Sequence, residues 1–281
     1  MMAIRDFLAN ANWFMVYYIS VIHIGALVGL KLAIFDCKWS TLLSAFVFYY
    51  LGGLGITAGA HRLWAHRAYK AHGSVRFFLM LCNAIANQGT IFHWCRDHRV
   101  HHKYSDTPSD PHNSGRGFFF AHMGWLLVKK DKRVHIAGDK LNYDDLWADW
   151  TVCLQEKLNP WGNLFMCFVF PMFATMYANG ETWLNALLVA GFLRYVCVLH
   201  ATWMFPYDYA TSEFGAMQQF NPTKITIDFF AMLGLVTERK RAVPIWERMK
   251  AAKLKGKGEK VVDPEGDDPV NAFAELKAKA L

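Results

Sequence analysis

The sequence predicts an all-α integral membrane protein with four transmembrane helices and a cytosolic helical cap that carries clustered histidines. Three observations carry this. Hydrophobic residues make up 54% of the 281 positions and charged residues 19%. The apolar residues come in long uninterrupted blocks, as surface facing lipid requires. Charge is also lopsided: fourteen of the thirty Lys and Arg fall between residues 61 and 160 and eleven more follow Val236. The loops expected on the other side carry only Lys31 and Lys38. By the positive-inside rule the basic regions, and with them both termini, face the cytosol. The net charge of +7 therefore reflects membrane orientation. Nothing in the pattern resembles a nucleic-acid module.

Residues 1–12 form a short amphipathic lead without a cleavage signature, because the apolar run that follows, 13–35, is too long for a signal-peptide core. That run is the first span, and His23 within it reads as a hydrogen-bonded packing residue. Asp36, Cys37 and Lys38 make a tight turn into a second span, 39–60, whose Gly52, Gly53, Gly55 and Gly59 let a neighbouring helix approach. The stretch 77–88 is too short to cross and reads as interfacial, as does 117–128. Residues 129–157 are polar and cytosolic. A third span covers 160–178, kinked at Pro171. A fourth covers 183–205, with Arg194 near its middle facing a polar partner inside the protein. Residues 225–236 read as a further interfacial helix, and 237–281 as a basic, loosely ordered tail. The six cysteines are scattered and read as packing residues in a reducing setting.

The chemistry lies between Gly55 and Pro111. His61 and His66 sit five apart at the end of the second span, and His98, His101 and His102 follow. On a helix, residues i, i+3 and i+4 share a face, so the second cluster can converge on a metal. Residues five apart lie about 140° apart on a regular helix. His61 and His66 therefore converge only if the helix end is distorted, or they serve two metals. Neutral imidazole suits Fe, Zn and Cu, and five clustered rings exceed the need of one tetrahedral zinc.

The motifs are specific. Gly55-Ile-Thr-Ala-Gly-Ala-His61-Arg-Leu-Trp-Ala-His66-Arg resembles the first histidine box of the membrane acyl-CoA Δ9 desaturases, the stearoyl-CoA desaturases. Arg96-Asp-His98-Arg-Val-His101-His102-Lys-Tyr-Ser resembles the second. Asp110-Pro-His-Asn-Ser, His122-Met-Gly-Trp, Phe192-Leu-Arg-Tyr, Ala201-Thr-Trp203 and Phe205-Pro-Tyr-Asp-Tyr continue the likeness over nearly the whole chain. The resemblance implies a membrane domain over 13–236, a non-haem di-iron centre and insertion of a cis double bond into a long-chain acyl-CoA. It also implies O₂ as oxidant, electrons from the cytochrome b5 and NADH-cytochrome b5 reductase system, and residence in the endoplasmic reticulum membrane. His61, His66, His98, His101 and His102 become the metal ligands. Arg96, Lys129 and Lys130 become candidates for the anionic CoA headgroup, and Trp94 and Trp203 for the acyl chain.

One departure matters. In the family the fourth span continues past Ala-Thr-Trp to further ligands and then a third histidine box. Here Ala201-Thr-Trp203 runs straight into Met204-Phe205-Pro, and no H-x-x-H-H occurs after His102. The lost piece is on the order of forty residues, up to ~60 Å of chain if helical. The sharp boundaries point to an in-frame loss. The expectation is a desaturase-like fold that cannot complete a di-iron centre. His93 and His112 are expected to lie too near the second box to substitute, and His200 too far along the fourth span.

Overall fold

A computed structural model of the chain describes residues 4–203 and 222–239. The short helix α1 (Ile4–Asn10) leads into α2 (Trp13–Phe35), which Asn12 caps by accepting from the Met15 amide. After the turn comes α3 (Trp39–Ala65), then α4 (Gly73–Ala86) and α5 (Ile91–Tyr104). The cap continues with α6 (Lys132–Asp139) and α7 (Trp150–Leu158). The last spans are α8 (Trp161–Asn179) and α9 (Trp183–Trp203), and α10 (Pro222–Met232) follows. The only strands among the described residues are β1 (Lys70–Ala71) and β2 (Val236–Thr237), paired antiparallel.

Four helices, α2, α3, α8 and α9, are long and apolar enough to cross a membrane, with mean hydropathy of 1.3 to 1.9. Each opens on a tryptophan, Trp13, Trp39, Trp161 or Trp183, the residue favoured at the membrane–water boundary. Phe14, Leu27, Phe46, Phe173 and Tyr177 stand exposed along them, where lipid takes the place of water. The α2–α3 and α8–α9 turns meet at one face. The Lys38 ammonium donates to the Asn179 and Gly180 carbonyls at 2.9 and 2.6 Å, and the Lys38 amide donates to Glu181 at 2.9 Å. The four spans therefore run alternately up and down, and the histidine-bearing end of α3 emerges at the opposite face.

Packing among the spans depends on small residues. A Cβ at Gly29 of α2 would lie 2.2 Å from the Leu188 carbonyl oxygen of α9, so only glycine permits that approach. Arg194 is fully buried in α9, as expected of an intramembrane charge. Its guanidinium donates to the carbonyls of Ala190, Ile85 and Cys167. Pro171 removes the N–H that a regular helix would bring to the Cys167 carbonyl. The Ile85 carbonyl lies in the last turn of α4, where intrahelical donors run out.

At the opposite face, α4, α5, α7 and α10 close over the end of α3. Leu63, Trp64, Leu79, Ile91, Cys95, Leu146, Val152, Ile227 and Val236 form one buried cluster there. All six cysteines are free thiols.

Several boundaries differ from the sequence expectation. The second span runs on to Ala65 instead of stopping near residue 60, because its last turns, Gly55–Ala65, continue as a π-helix. The expected segment at 117–128 is helical without a break over 118–127, with a π turn at Phe120–Gly124 running into Trp125–Leu127. Residues 129–157 hold α6 and much of α7, both packed on the cap. The expected helix at 225–236 begins earlier, at Pro222, and gives way to β2. The tail beyond residue 239 and the motif that begins at Phe205 lie outside the described residues.

Candidate metal centre

Two helices deliver the histidines. In α5 the rings of His98 and His102 lie one turn apart and meet edge to face with centroids 4.4 Å apart, and Thr90 starts the helix by accepting from the His93 amide at 3.3 Å. In α3 the π-helix changes the geometry. Its i→i+5 repeat, seen in the 2.9 Å bond from the His66 amide to the His61 carbonyl, brings residues five apart nearly into line. The His61 and His66 ring centroids lie 4.5 Å apart. The distorted helix end, one of the two alternatives open from the spacing, is the one adopted.

His61, His66, His98 and His102 each offer a nitrogen within 4.8 Å of the others. The Nε2 of His66 lies 3.1 Å from that of His61 and 3.0 Å from that of His98. The Nε2 of His98 is also 3.0 Å from that of His102. These three contacts cannot all be hydrogen bonds. Each Nε2 has a single in-plane position, a proton or a lone pair. The central rings of His66 and His98 each face two neighbours with it, so at most two contacts are satisfied. A cation facing four lone pairs satisfies them all. At metal–nitrogen distances of about 2.0–2.1 Å, neighbouring donors lie about 2.9–3.4 Å apart, which matches these spacings. The four imidazoles fit one metal ion of the Fe, Zn or Cu kind.

The surroundings keep His98 neutral and hold the two helices together. Burial, then the charges of the neighbouring rings, holds the His98 imidazole well below its ordinary range. Trp94 stacks on His98 with centroids 4.6 Å apart. Arg99 reaches from α5 to the Trp64 and Ala65 carbonyls at 2.7 and 3.3 Å and ties the end of α3 to the partner helix. It also forms a bidentate pair with Asp145, at 3.0 and 2.6 Å.

The fifth ligand expected from the sequence, His101, does not join these four. Its Nδ1 lies 2.9 Å from Asp110, and its ring faces that of His112 at 5.6 Å between centroids. His101, Asp110 and His112 form a separate group whose candidate donor atoms lie within 4.8 Å of one another. His112, expected to lie too near the second box to substitute, faces His101. Asp110 and His112 carry no helical spacing to announce them. Only their position nine and eleven residues after His101, across a proline turn, could have done so.

The remaining candidates scatter. Lys129 and Lys130 line a cleft of about 370 Å³ with Arg116, Arg133 and Trp125. Lys130 bonds Asp97 at 2.5 Å, while Lys129 is exposed. Arg96 points instead at α6, 3.5 Å from Asp139. Trp203 lies with His122, His200 and Trp125 at centroid distances of 6.2 to 6.5 Å. His200 bonds His23 at 3.0 Å and His122 at 2.9 Å, and His23 also bonds the Ile19 carbonyl.

Comparison with known proteins gives consistent relatives. The chain is 42% identical to stearoyl-CoA desaturase 2 of Mus musculus, covering 82% of this chain and 74% of the mouse protein. It is 41% identical to stearoyl-CoA desaturase 5 of Homo sapiens, covering 86% and 85%. With the Delta(9)-fatty-acid desaturase fat-6 of Caenorhabditis elegans, identity is 40% over 82% and 79%. No family model matches. The alignment with the human protein spans 283 positions and takes in 86% of this chain's 281 residues, so roughly forty positions have no counterpart here.

Proposed function

This chain belongs to the stearoyl-CoA desaturase family, an acyl-CoA oxidoreductase family of multi-pass membrane proteins, and we propose that its fold is that of a Δ9 desaturase holding one half of a di-iron centre. The convergence of four Nε2 atoms is the observation that carries this reading. The reaction takes a saturated long-chain acyl-CoA, O₂, two electrons and two protons to a cis-unsaturated acyl-CoA and two waters. Bound iron would activate O₂ for the oxidation, and His61, His66, His98 and His102 are the residues that would hold it. Cytochrome b5 and its reductase supply the electrons, in the endoplasmic reticulum membrane, with the basic cap in the cytosol.

The chain's own residues perform the rest. Trp94 shields His98 from water. The basic cleft takes the phosphates of the CoA headgroup, with Lys129 and Arg116 as charge-assisted donors and Lys130 reachable by exchange with Asp97. Arg96 meets a headgroup only by exchanging Asp139, whose side chain is 78% exposed. Trp203 contributes to the acyl path from the end of α9.

A two-metal centre of the family type also needs donors from the third histidine box, and the sequence after His102 holds no H-x-x-H-H. We therefore propose that desaturation by this chain is impaired. The test is expression in desaturase-deficient yeast beside a version with the missing block restored from a relative. The expected result is growth without added unsaturated fat only for the restored version. Growth on the 281-residue chain overturns impairment, and failure of the restored version overturns the desaturase reading. A second reading is an inactive isoform that binds acyl-CoA or pairs with a complete desaturase. It is favoured by the intact basic cleft and full set of spans, and it predicts co-purification with a tagged complete desaturase.

A further inference from the structure

We propose that His101, Asp110 and His112 form a second metal site of the two-histidine, one-carboxylate type, the donor set suited to Fe(II). It would give this chain a second metal without any residue from the missing block. The proposal rests on the reading of the adjacent four-histidine cluster as a metal centre, and it claims no desaturation by the second metal.

The group is built, not incidental. Asp110 is 4% exposed, and its side chain is wholly buried. Its Oδ2 accepts from the Asp106 amide at 2.8 Å and its Oδ1 from the His112 amide at 2.9 Å. A carboxylate offers about four lone-pair positions, so both oxygens retain one for a cation. Backbone amides on a ligating carboxylate are the support that metal-binding carboxylates show. The loop is itself braced. The Asn113 side chain donates to the Thr107 carbonyl at 2.8 Å, and the Ser114 hydroxyl donates to Asp106 at 2.6 Å. His112 is held from behind by Trp125, edge to face at 4.4 Å.

The spacing suits a cation as well as a proton. The 2.9 Å separation of His101 Nδ1 from Asp110 Oδ1 equals the edge between neighbouring donors at about 2.0–2.2 Å from a metal. The competing reading makes Asp110 a hydrogen-bond acceptor that only orients His101. That reading uses the His112 amide but gives its ring no part.

The two readings separate in a metal count. The full chain, purified in detergent and stripped of metal, is re-equilibrated with Fe(II) without oxygen, desalted and measured for iron per chain. Two irons are expected. His112→Gln and Asp110→Asn should each leave one, and the double variant His98→Ala/His102→Ala should leave the other. Each variant is first checked for helical content and a single elution peak. An unchanged count in H112Q overturns the proposal, and so does a wild-type count of one that only the double variant abolishes. A count of one lost in H112Q but kept in the double variant sinks the four-histidine reading instead. A wild-type count of zero sinks both.

Discussion

The helices α3 and α5 reach the same four-nitrogen cluster by different backbones. On α5, His98 and His102 are four apart on a regular helix, and their alignment is a local property of sequence spacing. On α3, His61 and His66 are five apart, and a π-helix must widen the turn to bring them together. That wider turn is sustained from outside. The Tyr69 hydroxyl donates to the Ala58 carbonyl at 2.8 Å, Cys95 to that of Ala60 at 3.3 Å, and Arg99 to those of Trp64 and Ala65. The difference teaches that half of this site is written locally and the other half only in tertiary contacts.

The sharpest way to break the comparison is to give α5 the spacing of α3. An alanine inserted between Arg99 and Val100 makes the histidines five apart on a helix without the external bonds, rotating His102 by about 100°. Fe(II) affinity by titration should then fall beyond the roughly 100-fold typical of outer-shell changes. Retained affinity would mean that α5 widens as α3 does.

A milder change attacks the support of α3. A Cβ at Gly55 would stand 2.2 Å from the backbone of Cys82 and Asn83 in α4. Gly55→Ala should destabilise the protein by about 1–3 kcal/mol, read as a lower midpoint of thermal unfolding in detergent. An unchanged midpoint would show that the π segment does not depend on this close approach.

The smallest effect concerns the clamp between the helices. Burial raises the Asp145 carboxyl, but its bonds from Arg99 and Arg67 outweigh this and bring it from 3.8 to about 2. A carboxyl depressed on folding stabilises the fold above its unfolded value, and that stabilisation is lost as pH falls towards about 2. With the side chain about a third exposed, the loss should be about 1 kcal/mol. Unfolding midpoints measured between pH 5 and 2.5 should fall less in Asp145→Asn than in the unaltered chain. Equal slopes would remove Asp145 from the clamp.

The four spans were legible because lipid imposes length and apolarity on each residue run, and Trp13, Trp39, Trp161 and Trp183 mark their starts. The pairing of His98 with His102 was legible for the same local reason. The π turn of α3 was not, since it is sustained by Tyr69 just beyond the helix and by Cys95 and Arg99 of α5, contacts that residue spacing does not announce. Nor was the separation of His101 from the four. Helical spacing groups it with His98 and His102, and only the fold of the Asp106–Ser114 loop draws it away to Asp110 and His112.

Arg194 has a consequence for how the protein enters the bilayer. An arginine at the centre of an isolated transmembrane helix costs about 2.5–3.5 kcal/mol on insertion. The fourth span is therefore a poor substrate for membrane integration by itself. The carbonyls that receive Arg194 belong to Ile85 and Cys167, both synthesised earlier. The acceptors are thus made before the charge emerges from the ribosome, and the order of the chain makes the third span a chaperone for the fourth.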